Sequence, residues 1–269
     1  MSTLTPDVAV RTPVRTAPPG PIPLSRIVKV ELRKSFDTRA GFWLLASIGL
    51  AAILATAAVI GFAPDDQIVY DNFGAAIGVP MAVILPMVAI LSVTGEWSQR
   101  SGLTTFTLAP HRGRVILAKA IVAVSIAVVS VLLALAIGAL GNVVGSAIAG
   151  VDTVWDISLS GALNIVLANV LGLLIGFMLG VLVRNSAGAI VGYFVYAFVV
   201  PTLAAVLAAN QQWFRDLQPW VDFNFAQSAL FSGSMLSDEQ WAQLGVTSLI
   251  WLVAPLTIGL WTLLRAEIK

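Results

Sequence analysis

The sequence predicts an all-α integral membrane protein, with six transmembrane helices and an N-terminal amphipathic interfacial helix. Three observations carry that prediction. Apolar residues make up 58% of the 269-residue chain and charged residues only 11%, against about 25% charged in a soluble domain. Six apolar stretches reach bilayer length, at residues 41–62, 74–95, 120–141, 161–183, 187–208 and 245–264, and none contains Asp, Glu, Lys, Arg or His. The basic residues also divide unequally between the two sides these stretches define. Lipid cannot satisfy open backbone groups, so each stretch is expected as a helix.

The first 23 residues hold six Pro and no apolar core, which predicts a disordered cytoplasmic tail rather than a signal peptide. The remainder, 24–269, reads as one membrane domain. From Leu24 to Phe36 the apolar residues Leu24, Ile27, Val28, Leu32 and Phe36 share a broad face. Arg26, Lys29 and Arg33 gather opposite, with Lys34 at the edge. That pattern predicts a helix lying on the inner membrane surface.

Orientation follows from the cations. With the N-terminus inside, 14 of the 15 Lys and Arg face the cytoplasm and only Arg215 lies outside. Both termini are therefore expected in the cytoplasm. Pro80 and Pro86 in the second span, Pro201 in the fifth and Pro255 in the sixth predict kinks, which membrane bundles tolerate. Gly172, Gly176 and Gly180 form a small-residue stripe on the fourth span, and Gly188 with Gly192 repeats it on the fifth. Close helix packing is the expected role, within or between protomers. Asn164 and Asn169 are the amides well inside a span, suited to interhelical hydrogen bonds or to a polar path.

Several function classes lose support. The chain has no Cys and one His, His111, so thiolate chemistry, His-based metal sites and a Ser-His dyad at depth are not expected. The inner-face acids Glu31, Asp37, Glu96 and Glu267 are scattered among basic residues rather than clustered for magnesium. A net charge of +1 points away from nucleic acid as a partner. Spans without an ionisable residue speak against proton or sodium coupling. No Gly-Lys dipeptide occurs, so no P-loop is present and the chain is not expected to be an ATPase itself.

The most distinctive segment lies between spans two and three: EWSQRSGLTTFTLAPHRGRVILAK, residues 96–119. Its first part predicts a short helix ending before Pro110, since the residue before proline avoids helical geometry. A compact turn, His111-Arg112-Gly113-Arg114, would then feed span three. A helix held at the membrane by two spans is a handle: a push on it moves both.

Here the sequence resembles the type-2 ABC transporter permease family, especially its actinobacterial members. The matching residues are Glu96-Trp97, Thr104-Thr105, Leu108, Pro110, Arg112, Arg114 and Ala118-Lys119. The entry segment SRIVKVELRKSFDTRAGFWLL matches as well. The resemblance implies a half-transporter: two six-helix permeases pair as a homo- or heterodimer, and two cytoplasmic ABC ATPase subunits dock beneath them. It implies that residues 96–110 are the coupling helix, with Glu96, Arg100, Thr104, Thr105, Phe106, Pro110, Arg112 and Arg114 at the ATPase contact. The turn at Arg184 would add a smaller one. It implies two short re-entrant helices in residues 209–244, where Trp213, Phe214, Trp220, Phe223, Phe225 and Phe231 supply apolar surface for an outer gate. It also implies a substrate path between protomers lined by spans one, two and five, and export of hydrophobic or amphipathic cargo across a bacterial inner membrane. No cofactor is expected in this chain; ATP and magnesium would belong to the partner ATPase. The alternative is an ATPase-independent secondary transporter or channel.

Overall fold

The computed structural model describes residues 22–98, 112–233 and 235–265. Among the described residues it is helical throughout, with one isolated bridge between Val69 and Val154 and no strand. Six helices are long and apolar enough to cross a membrane. This is an all-α, multi-pass architecture. The residues of the proline-rich tail before position 22 lie outside the described part.

Helix α1 spans Leu24–Asp37. It stops because Thr38 turns extended and becomes the N-cap of α2, Arg39–Phe62, its side chain accepting the Gly41 amide. A side-chain oxygen on an orphan N–H is what starts a helix there. The apolar arc of α1 divides in two. Val28 packs with Leu44, Val88, Val122 and Ile126, joining α1 to the bundle. Leu32 and Phe36 stay exposed on the protein, facing outward as an interfacial helix requires. Arg26, Lys29 and Arg33 are exposed too, and Arg33 pairs with Asp37 at 2.9 Å.

Helix α3, Tyr70–Ser98, is the hub. Phe73, Ile77, Met81, Leu85, Ala89 and Val93 are all buried along it, one every four residues, a ridge that winds slowly round the helix and meets several neighbours. Pro80 and Pro86 lie inside α3 without ending it. Pro86 lacks the N–H that would bond the Ala82 carbonyl, and the Tyr193 hydroxyl donates to that carbonyl instead. Tertiary structure thus replaces the bond that proline removes.

Helix α4, Arg112–Ala149, is longer than the sequence reading of span three. Arg112, Gly113 and Arg114 form its first turn, so the expected compact turn there is helix. Nothing in that turn forces an end: no proline follows Pro110 until well beyond the span, and Gly113 costs only about 1 kcal/mol against Ala. Helix α5, Leu159–Val183, starts on Ser158, whose side chain accepts the Gly161 amide. Helix α6, Ser186–Asn210, follows after two residues only. Arg184 makes that reversal in the left-handed region, at φ 55°, and Asn185 caps α6 by accepting from Gly188.

The short helices α7, Gln212–Val221, and α8, Phe223–Ser228, precede α9, Asp238–Arg265. A capping box between Ser237 and Gln240 opens α9. Two wide π-type turns interrupt the last long helices, at Val195–Val199 in α6 and Leu249–Val253 in α9. Each is followed, two residues on, by a proline: Pro201 and Pro255. The predicted kink sites therefore take the form of wide turns, which let a helix pass a residue that cannot donate.

The glycine stripe works within the chain. A Cβ on Gly176 would sit 2.7 Å from the Pro86 carbonyl oxygen, and one on Gly180 would sit 3.2 Å from Val93 Cβ. Helices α3 and α5 can only approach this closely because both positions are glycine. Gly192 is different: its Cβ would meet only Leu179 Cδ2 at 3.9 Å. A Cβ on Gly188 would meet Val183 Cγ1 at 3.0 Å across the adjoining turn, so the second stripe makes side-chain contacts only and no backbone approach.

Candidate functional site

Two places in the bundle concentrate polar chemistry, one at its basic end and one at mid-depth. At the basic end, Glu31 stands in the middle of the docked face of α1, between Ile27, Val28 and Ser35. It is 6% exposed. Lys119, in the second turn-pair of α4, donates to Glu31 Oε2 at 2.6 Å and to the Ser92 carbonyl of α3 at 3.0 Å. Lys34 donates to Glu31 Oε1 at 2.7 Å. One buried carboxylate therefore joins α1, α3 and α4. Burial pushes the Glu31 carboxyl up, but the Lys119 ammonium, with Lys34 adding to it, outweighs that and holds it below its ordinary value.

Of the residues expected to meet an ATPase, Arg114 and Arg184 have described side chains. Arg100, Thr104, Thr105, Phe106 and Pro110 fall outside the described residues, as do the side chains of Glu96 and Arg112. The two described ends of that loop are α3 and α4, and these are the helices the clasp ties together. Arg114 reaches across to the Ile22 carbonyl at 3.2 Å, a second link between the chain before α1 and the first turn of α4. Arg184 sits in the tight α5–α6 turn, and its N–H bonds the Gly180 carbonyl. Ser186 Oγ, next to it, shares a hydrogen bond of 2.8 Å with Thr94 Oγ1 of α3. The turn is thereby attached to the helix that leads into the loop.

The second place is a cavity of about 220 Å³ between α3, α5, α6 and α8. Its walls are mainly apolar and aromatic. The wide turn of α6 brings Tyr196, Ala197 and Phe198 to it, with Tyr193 one helical turn before. Opening that turn has a second consequence. The Val200 amide bonds the Val195 carbonyl rather than that of Tyr196, and Pro201 has no N–H to offer. The Tyr196 carbonyl is left for the Asn224 side chain, 3.5 Å away. Tyr196 also leans on Trp251 of the other wide turn, with ring centres 5.7 Å apart. Trp251 in turn donates to the Val221 carbonyl at 2.7 Å. The two wide turns and the α7–α8 junction thus form one unit.

Helix α8 closes the cavity from the acidic end. Gln227 donates to the Ala168 carbonyl at 2.7 Å, nine residues into α5, or about 13 Å along it at ~1.5 Å per residue. Phe223, Ala226 and Leu230 are buried with Ile175 and Leu252. The α8 segment therefore packs down among the long helices. Trp220 is half-buried and Phe223 is 1% exposed, whereas Trp213, Phe225 and Phe231 point outward. Asn169 borders the same cavity and donates to its own helix at Ile165. Gly172 faces it as well: an added Cβ would meet only Gln227 Nε2, at 3.6 Å.

In the sequence Glu31 is one of several scattered acids, and Lys119 stands at the end of the 96–119 segment with nothing to link the two. The missed signal is spacing: Ile27, Glu31 and Ser35 recur every four residues, which puts a carboxylate at the centre of the apolar face. Asp222, buried at the α7–α8 junction, carried no signal of burial in the sequence either. No family model matches the sequence, and no curated protein matches it.

Proposed function

We propose that this chain is the transmembrane permease subunit of an ATP-driven transporter of the type-2 ABC class, working with a separate cytoplasmic ATPase. The observation that carries the reading is the Glu31–Lys119 clasp. It fastens the entry helix to α3 and α4, the two helices that flank residues 99–111. A force applied to that loop reaches the entry helix and both spans together, because the three are joined by a buried ion pair rather than by loose chain. The basic end, where the clasp lies, faces the cytoplasm on the positive-inside argument. The descending α7–α8 pair supports the same reading, since it supplies a plug at the opposite end of the bundle.

In the proposed cycle, ATP and magnesium bind the partner subunits, whose closure presses on residues 96–110. Glu96 and Arg112 hold the loop against its flanking helices, while Thr105 and Phe106 meet the ATPase. Two copies of this chain, or this chain and a related one, form the membrane unit in a bacterial inner membrane and move apolar or amphipathic cargo outward. The test is contact by chemical cross-linking in native membranes. Cys introduced at Thr105 or Phe106 should cross-link to a nucleotide-binding subunit, and Cys at Asp66 or Asp238, at the opposite end, should not. Cross-linking from the Asp66 position, or none from Thr105 and Phe106, would reject the assignment.

A further inference from the structure

We propose that the outward stripe of α1 is a docking surface for anionic phospholipid headgroups. This goes beyond the transport reading and stands without it, because lipid binding needs no ATPase. The helix has two working faces. One is docked: Glu31 is buried on Lys119, and Val28 packs with Leu44, Val88, Val122 and Ile126. The other carries Lys29, Leu32, Arg33 and Phe36, which recur at i, i+3, i+4 and i+7 and so share one side of the helix. All four are exposed, Leu32 by 40% and Phe36 by 54%. Arg26, one turn before Lys29, is exposed as well. Cations and apolar groups are therefore interleaved on one outward surface.

Place decides what can cover it. Thr38 alone separates α1 from α2, a helix long and apolar enough to cross a membrane, so the stripe ends where the bilayer begins. Phe42 and Trp43, near the start of α2, are exposed at that boundary, as large rings at a headgroup layer are. At this level Leu32 and Phe36 can enter the upper acyl region. The long stems of Lys29 and Arg33 then carry their charges back to the phosphates.

Charge names the lipid. Arg33 pairs with Asp37 and Lys34 with Glu31, but none of the ion pairs among the described residues includes Arg26 or Lys29. Two exposed cations beside exposed apolar groups complement a phosphodiester of uncompensated charge. A zwitterionic headgroup brings its own cation and gains less. Other covers fit worse. A second copy meeting this stripe with its own would set like charges against each other. The segment before α1 carries Arg11 and Arg15 against Asp7 alone, so it is itself basic. Bound lipid holds α1 from its outer side, as Lys119 holds it from the inner one.

The experiment uses the full chain in phosphatidylcholine nanodiscs. The sequence has no Cys, so Ser25→Cys, exposed and seven residues before Leu32 on the same side, takes a single bimane label. The discs contain a low mole fraction of spin-labelled lipid, either phosphatidylglycerol or phosphatidylcholine, with the nitroxide near the top of the acyl chain. The phosphatidylglycerol should quench as though about fivefold enriched over the phosphatidylcholine, the scale of one cation beside an anionic headgroup. That preference should vanish at about 1 M salt, where the Debye length is about 3 Å. Arg26→Gln with Lys29→Gln should bring it close to one and leave quenching by phosphatidylcholine unchanged, whereas Arg265→Gln, at the far end of α9, should keep it. Equal quenching by the two lipids, a preference that survives the Arg26 and Lys29 changes, or one lost equally in Arg265→Gln would each overturn the proposal. Quenching by neither lipid would also overturn it and give the stripe to a protein partner.

Discussion

The two halves of the bundle are held by different means. Around α3, α4 and α5 the chain is packed to backbone contact: half of the most apolar stretch of α5 is buried, and Gly176 rests on Pro86. Around α6 and α9 the packing is open. Only 6% of the corresponding stretch of α6 is buried, both helices carry a wide turn, and a cavity separates α6 and α8 from α3 and α5. In the first region a buried ion pair and glycine contacts lock the helices. In the second, side-chain amides and hydroxyls satisfy carbonyls that prolines and wide turns have released. The difference teaches where movement is easiest. Tightly packed helices can transmit a push, and loosely packed ones can yield to it.

The largest expected effect comes from breaking the lock. Lys119→Met leaves the buried Glu31 with only the half-exposed Lys34 as its ionic partner, a loss of up to about 3–5 kcal/mol, the scale of removing one partner of a buried pair. The double variant Glu31→Met with Lys119→Met should recover most of that loss, because no orphan charge remains. Unfolding of the purified protein in mixed micelles should rank the three proteins in that order. A single variant as stable as the wild type would remove the clasp from the account.

Overpacking should come next. Gly176→Leu drives a side chain into the Pro86 backbone and should cost about 1–3 kcal/mol or more, with a lower melting temperature. Gly172→Ala, one helical turn away but facing the cavity, should be within about 0.5 kcal/mol of the wild type. Equal effects at the two positions would erase the contrast between packed and open regions. In the open region itself, Tyr193→Phe leaves the Ala82 carbonyl unmet. It should cost about 0.5–1.5 kcal/mol, the net value of an ordinary hydrogen bond.

A pH experiment sharpens the same comparison. The Glu31 carboxyl is held below its ordinary value of 4.5, so the unfolded or undocked chain binds the proton more readily. The clasp is fully made above that ordinary value and is lost as pH falls through the lower, folded one. Cys placed at Val28, which is half-buried against α3 and α4, should stay protected from a maleimide at neutral pH. On an acid series, quenched and read afterwards by mass, protection should fail only below the ordinary carboxylate range. In Glu31→Gln it should be reduced at every pH.

The spans were legible because bilayer length and lack of charge are properties of composition. Their ends were less so: α4 begins at Arg112 and α9 at Asp238, since helices continue past the apolar stretch wherever capping and propensity allow. The amphipathic character of α1 was visible, but the docking role of Glu31 depends on Lys119, 88 residues away. The prolines announced irregular helices without saying that wide turns, rather than bends, would result. The cavity was not legible at all. It arises where Gly172, the wide turn of α6 and the descending α8 leave space, and each of those has an ordinary packing role when read alone.

The most direct measurement of the central claim is the composition and activity of the complex isolated from native membranes through a tag on this chain. A nucleotide-binding subunit should be recovered in equal amount, and the purified complex should hydrolyse ATP while this chain alone does not. Glu96→Ala or Arg112→Ala should lower that hydrolysis without lowering expression, whereas Arg265→Ala, at the far end of α9, should leave it unchanged. Isolation of this chain with no ATPase, or hydrolysis indifferent to the loop variants, would contradict the account.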